Sequence, residues 1–265
     1  MRGTTNPHPS RETNEDCINP FINPWCFFSQ FLLYPSKLNT LNTKIEFMFT
    51  RKLTPEEMEQ LIKMQAFARS AHAKSESHDY AHVLTVCRYG IQIARNIEEA
   101  VDPFIVIAAC LLHDIGKTNE YLAHLHGLLG GALAEEFLEG LGVSETLQRP
   151  ICNAIIRHTP TSMIPPSTPV EMIVYDADTL DRLGLMGLLR GFIGKKGSMD
   201  SILTNYMERR LQDYEKLHFE YSKQMGDTMN EEIEAYIAIV NHKLQQRMQT
   251  IEHIFESEGL YEKLE

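Results

Sequence analysis

The sequence predicts an all-α fold, and three observations carry that prediction. From Thr54 almost to the C-terminus, apolar residues recur at spacings of three and four. Proline-bearing helix starts punctuate the chain, as in Thr54-Pro55-Glu56-Glu57 and Asp102-Pro103. No stretch alternates polar and apolar residues as a half-buried strand does, and no segment repeats with a period of about 30–40 residues.

In chain order, residues 1–49 read as a poorly ordered leader, rich in Pro, Asn and Thr and without a helical period. Met48, just before the first helix, is the expected natural start. Thr54 and Glu57 make a capping box for the first helix, whose inward residues are Met58, Leu61, Ile62, Gln65 and Ala68. A second helix begins near Asp79, with Val83, Val86, Cys87, Ile93, Ala94 and Ile97 facing inward. Asp102-Pro103 opens a third. Phe104 to Leu112 is apolar on all sides, so this helix is expected to be buried all round, with Gly116 able to terminate it.

A fourth helix is expected from about His126 to Glu139. A fifth region, Ser144 to His158, contains Pro150 and is expected to kink or to split in two. Residues 159–169 hold four prolines and form a loop. A sixth helix carries Val170 to Leu183. Gly184, Gly187, Gly191 and Gly194 lie near one helical face, and Gly194-Lys195-Lys196-Gly197 is a break. Two longer helices, about 199–225 and 228–258, close the chain.

The chain has 265 residues, with 25 Lys and Arg against 36 Asp and Glu, for a formal net charge of −11. That balance argues against non-specific binding to duplex nucleic acid. It does not exclude anionic small substrates, because bound cations can dominate the charge of a site. Five cysteines without a CxxC pair argue for a reducing compartment and against a disulfide scaffold. No segment reaches the roughly 20 apolar residues that span a bilayer, and the expected location is cytoplasmic. A homodimer is compatible with the long C-terminal helices.

Seven of the eleven histidines fall between His72 and His158. They stand beside carboxylates at helix ends, an imidazole and carboxylate set suited to Mn, Fe, Zn or related ions. His113-Asp114 ends an all-apolar helix. An unpartnered buried carboxylate there would cost several kcal/mol, and a cation satisfies it most simply.

Three strings, His82-x-x-x-Val86, Leu111-Leu112-His113-Asp114-Ile115-Gly116-Lys117 and Ala177-Asp178-Thr179-Leu180-Asp181, resemble in order the H…HD…D signature of the HD superfamily of metal-dependent phosphohydrolases. Residues 176–184 and 215–217 further resemble a subgroup of small bacterial HD hydrolases, some of them nucleotide pyrophosphohydrolases. The resemblance implies an HD-domain helical bundle over residues 50–198, with additional C-terminal helices, 199–265, packed on or beside it. It implies hydrolysis of a phosphate ester or anhydride of a nucleotide or similar small molecule by a metal-activated water.

Carried over by position, the resemblance makes His82, His113, Asp114 and Asp178 ligands of one divalent ion, Mn or Fe with Mg, Zn, Co and Ni as further possibilities. Asp176 stays open as the alternative to Asp178. His126-Gly-Leu-Leu-Gly130-Gly-Ala132 and Arg157-His158-Thr159 resemble the segments of members with paired ions, where the HD aspartate bridges. His126 and His158 then hold a second ion or touch a substrate phosphate, with a purely structural role as the other reading. Asp114 would orient the nucleophile and Lys117 would offer charge to a phosphate, which makes these two the catalytic candidates. His78, one turn before His82, together with Lys117, Arg157, Arg182, Arg190 and Lys195, is the substrate-binding set. The glycine-flanked basic stretch around Gly194 reads equally as a mobile cover or as a tight turn with solvated charges.

Other functions are compatible with the same string. HD-fold di-iron oxygenases share a His- and Asp-rich ligand set, some HD endoribonucleases share His-Asp-Ile-Gly-Lys, and a nucleotide sensor would keep the fold while losing ligands. The short His113-to-His126 interval and Lys117 favour the hydrolase.

Overall fold

The computed structural model describes residues 49–73, 79–117, 124–159, 164–192 and 208–257. All belong to one unit, Glu46–Glu265. The leader up to Met48, His78, and the segment bearing Gly194, Lys195, Lys196 and Gly197 lie outside the described residues. Every regular element among the described residues is helical, without strands.

Helix α1 spans Pro55–Ala71 and starts with the expected reciprocal capping box between Thr54 and Glu57. Arg51 extends that cap. It donates to Glu57 Oε1 at 2.6 Å and to Asp102 Oδ2 at 2.7 Å, tying the start of α1 to the start of α3. Helix α2 (Tyr80–Ala94) is capped by Asp79, whose carboxylate accepts from the His82 amide at 3.0 Å. The cap therefore fixes the backbone of His82, in the first turn.

Helix α3 (Pro103–Leu112) is the axis of the bundle, touching α1, α2, α5 and α6. Phe104, Ile107, Leu111 and Leu112 are fully buried, and each contributes about 1.5–3 kcal/mol by removal from water. The helix delivers its C-terminal residues, His113 and Asp114, into the middle of the protein.

Helices α4 (His126–Gly140) and α5 (Glu145–Arg157) lie side by side. Two helices divided at Pro150 do not form: α5 runs through it unbroken. Pro150 is near the helix start, and the carbonyl it leaves without an amide belongs to exposed Thr146, where water can reach it.

Helix α6 (Pro169–Arg182) has its own capping box, Thr168 with Glu171. The sixth helix ends there, and α7 (Gly184–Phe192) is separate, because Gly184 adopts φ +73° and turns the chain. The C-terminal pattern also differs from the expected helices at 199–225 and 228–258. Among the described residues it forms α8 (Glu208–Tyr214) and one 38-residue helix, α9 (Glu220–Ser257). The break falls at 215–219 because buried Asp176 takes the His218 amide at 3.0 Å and the Phe219 amide at 3.1 Å. Gly226 is accommodated inside α9, where Leu217, Tyr214 and Leu180 pack against it. Helix α9 packs against α6, α7 and α8.

Gly116 is required for a reason other than ending a helix. A methyl group there would collide with the His126 carbonyl and the Gly130 backbone. The turn after α3 is thus pressed against the first turn of α4, and on α4's other side Gly127 and Gly131 let it approach Ile156 of α5 equally closely. These contacts bring the N-terminus of α4 and the C-terminus of α5 to the end of α3.

Candidate metal centre

Four helices converge where α3 ends. His82 comes from the first turn of α2, His113 and Asp114 from the end of α3, His126 from the start of α4, His158 from the end of α5, and Asp178 from mid-α6. All six are buried. The structure thus brings together the six residues expected as ligands, with Asp178 rather than Asp176 among them.

The ring orientations of His82, His113 and His158 follow from hydrogen bonds on the far side of each imidazole. His113 Nδ1 donates to the Cys110 carbonyl at 2.8 Å, and His158 Nδ1 donates to the Ile155 carbonyl at 2.6 Å. His82 Nδ1 donates to Asp181 Oδ2 at 2.6 Å. With the proton on Nδ1, each ring turns a bare Nε2 inward, as metal-ligating histidines do. His82 Nε2 lies 3.1 Å from His113 Nε2, and His126 Nε2 lies 3.2 Å from His158 Nε2. Two facing lone pairs at that distance repel unless a cation or proton stands between them.

Asp114 joins the two histidine pairs. Its Oδ2 is 3.3 Å from His82 Nε2 and 3.5 Å from His113 Nε2. Its Oδ1 is 3.3 Å from His158 Nε2 and 3.6 Å from His126 Nε2. Asp178 Oδ1 lies 3.5 Å from His82 Nε2, on the first pair's side. Ligand atoms of His82, His113 and Asp178 lie within 4.8 Å of one another, and so do those of His113, Asp114 and His158. The donor set of neutral imidazoles and carboxylates, without thiolate, fits Mn, Fe or Zn better than it fits a structural zinc site.

Asp176 points elsewhere. Besides the two amides, its carboxylate accepts from His218 Nδ1 at 2.8 Å, so it anchors the start of α9 while Asp178 faces the histidines.

Electrostatics match this layout. Burial pushes His113 below its ordinary value and keeps it neutral. Burial would also lower His82, but Asp114 and Asp181 outweigh it and raise the ring; the carboxylates that favour a proton there favour a metal cation equally. Burial works to raise the carboxyls of Asp114 and Asp178, yet Lys117 beside the first and Arg182 beside the second hold both well below the ordinary carboxylate range.

Each carboxylate has its own cation. Lys117 Nζ lies 2.7 Å from Asp114 Oδ2, Arg182 is hydrogen bonded to Asp178, and Arg190 is hydrogen bonded to Asp181. A divalent ion added to this balanced set leaves net positive charge, which suits an anionic ligand.

Among the substrate-binding candidates, Lys117 borders the cluster with its side chain 20% exposed. Arg182 and Arg190 are committed to carboxylates inside the protein. Arg157 donates to the Pro165 carbonyl at 3.0 Å and the Ser167 hydroxyl at 2.8 Å, pinning the loop before α6. His78 and Lys195 lie outside the described residues, and His124 is exposed. Asp181 was not among the sequence candidates. Its only signal was its place three residues after Asp178 on the same helix, since its partner His82 is 99 residues away in the chain.

The HD domain profile matches residues 79–183, a span containing all six clustered residues and Asp181. Bacillus subtilis YpgQ in complex with ADP superposes with a TM-score of 0.57 at 20% identity, over 71% of this chain and 96% of that one. An HD-superfamily hydrolase from Bacillus thuringiensis gives 0.55 at 23% identity, over 71% and 98%. A Lactobacillus plantarum protein gives 0.57 at 18% identity, over 71% and 98%. No curated protein matches the sequence.

Proposed function

We propose that the chain, whose residues 79–183 match the HD domain profile, is a metal-dependent phosphohydrolase acting on a nucleotide or a similar small phosphorylated molecule. The observation that carries this reading is Asp114, whose two oxygens face two separate histidine pairs. His82, His113, Asp114 and Asp178 would hold one divalent ion, Mn or Fe in the first instance. Asp114, His126 and His158 would hold a second.

Bound there, divalent ions would neutralise phosphoryl oxygens and lower the pKa of a coordinated water to about 7. The remaining work falls to this chain's own groups. Asp114 orients the attacking water, through a carboxylate locked by Lys117 on one oxygen and faced by His158 on the other. Lys117 presents a compact charge to a phosphate oxygen at the border of the cluster. The apolar side chains at and just past the end of α3, Leu111, Leu112 and Ile115, keep the buried face dry and strengthen these electrostatics. Arg182 acts indirectly, by fixing Asp178 so that Oδ1 faces His82.

A nucleotide is supported by the fold's likeness to a protein crystallised with ADP and by the net positive charge that a loaded site would carry. Residues 50–198 would be the catalytic domain and the C-terminal helices its backing, since α9 packs on α6 and α7. No described helix is long and apolar enough to cross a membrane, in keeping with a small diffusible substrate.

The test is to strip the protein with chelator, reload it separately with Mn and Fe, and assay nucleoside mono-, di- and triphosphates and p-nitrophenyl phosphate. Metal-dependent release of phosphate or pyrophosphate is the expected result, and the product defines the subclass. Two tightly held irons with oxygen consumption and no hydrolysis would replace this reading with the oxygenase.

A further inference from the structure

The far side of His82 carries a feature that ligand geometry alone does not require. His82 Nδ1 meets Asp181 Oδ2 at 2.6 Å, and Asp181 is in turn hydrogen bonded to Arg190. Arg190 Nη1 lies 3.0 Å from His82 Nδ1 because both donate to the same Asp181 Oδ2, and its Nη2 donates to the Asp181 carbonyl at 3.2 Å. The guanidinium thus grips both the side chain and the backbone of Asp181. The side chains of Asp181 and Arg190 are 13% and 18% exposed, and that of His82 is fully buried.

Delivery of Arg190 takes special backbone. Gly184 turns the chain at φ +73°, and Gly187 lies so close to the Arg182 carbonyl that a side chain at 187 would collide with it. Helix α7 therefore folds back over the end of α6 and carries Arg190 to Asp181. It is held by α9: Leu188, beside Phe192 of the same helix, is buried against Tyr236, Ile237, Val240 and Leu244.

We propose that Asp181 and Arg190 are positioning residues for the metal centre, fixing the proton of His82 on Nδ1 so that Nε2 is held ready as a ligand. This rests on the metal reading above and adds to it a second layer reaching to α7 and α9. The chemistry is that of a carboxylate behind a ligating imidazole, which sets ring orientation and basicity. Here the carboxylate is itself oriented by a fork of two guanidinium contacts that a lysine could not reproduce. An asparagine at 181 would keep the size but could turn its amide nitrogen toward Nδ1, which would put the proton on Nε2 and remove the ligand.

The experiment is a Mn(II) titration of the whole chain, read from the signal of free Mn(II) by electron paramagnetic resonance, with circular dichroism to report folding. Asp181→Asn is expected to weaken Mn(II) binding by about 10–100-fold. Arg190→Gln should act in the same direction, with Arg190→Lys falling between it and the wild type. In a His82→Ala background, Asp181→Asn should add no further loss, because its effect passes through that ring. Binding by Asp181→Asn within twofold of wild type would overturn the positioning role, as would an additive loss on His82→Ala. A wild-type chain that binds no Mn(II), Fe(II) or Zn(II) overturns the metal reading and this proposal with it.

Discussion

Asp114 Oδ1 lies 3.3 Å from His158 Nε2, while the other oxygen of the same carboxylate faces His82 at the same distance. One side chain at the end of the central helix thus joins α2 and α3 on one side to α4 and α5 on the other. The arrangement depends on backbone contacts as much as on ligands, because Gly116 lets the turn bearing Asp114 press against the start of α4, and Gly127 seats α4 equally closely on α5.

The two aspartates of α6 should separate cleanly. Asp176→Asn removes a buried charged acceptor of two amides and the His218 ring, and hydrogen bonds to charged groups contribute about 1.5–3 kcal/mol each. Chemical denaturation should show a loss of at least about 2 kcal/mol, with Mn(II) affinity unchanged. Asp178→Asn should do the reverse, weakening Mn(II) binding at least tenfold.

His126 and His158 are the residues proposed to hold a second ion. His126→Ala should lower the bound Mn(II) stoichiometry by one and leave the ion at His82, His113 and Asp178 in place. Elemental analysis after gel filtration checks this, and loss of both ions would contradict separate sites.

Gly116→Ala tests the backbone packing directly. The added methyl must displace the His126 carbonyl or the Gly130 backbone, so destabilisation of about 1–3 kcal/mol is expected from overpacking. A drop in Mn(II) binding should accompany it because His126 moves with α4. An unchanged melting temperature would show that the two segments are not in contact.

The Arg51 clamp gives a pH dependence far from the metal centre. Glu57 is held below its ordinary value, chiefly by its hydrogen bond from Arg51, with burial opposing. A depressed folded-state value means that its stabilisation is present above the unfolded value, about 4.3, and is lost as pH falls through the folded one. The melting-temperature gap between wild type and Glu57→Gln should be full at pH 7 and shrink below about pH 4. A gap that is constant from pH 7 to pH 3 would exclude this linkage.

Much of this was legible in the sequence because local chemistry fixes it. Thr54, Asp79 and Asp102 are caps readable from their neighbours, and the apolar run from Phe104 to Leu112 declares a buried helix whose end must hold a satisfied carboxylate. The His-Asp strings identified the family that the HD domain profile also matches. What escaped was set by partners distant in the chain. The break before α9 is dictated by Asp176, some 42 residues upstream. Asp181 and Arg190 matter through His82, 99 and 108 residues away, and Arg190 reads from sequence as an available cation only because its carboxylate partner cannot be seen there. Pro150 misled for a different reason, since an exposed first turn tolerates the missing hydrogen bond.

The most direct test of the account is nucleotide phosphate release by Mn(II)-loaded wild type and Asp114→Asn, measured side by side on protein whose helicity is verified. Expected is turnover that requires metal in the wild type and falls at least about a thousandfold in the variant, on the scale of losing an electrostatic or nucleophile-orienting group. Turnover that persists in Asp114→Asn, or that proceeds equally well in excess chelator, would contradict it.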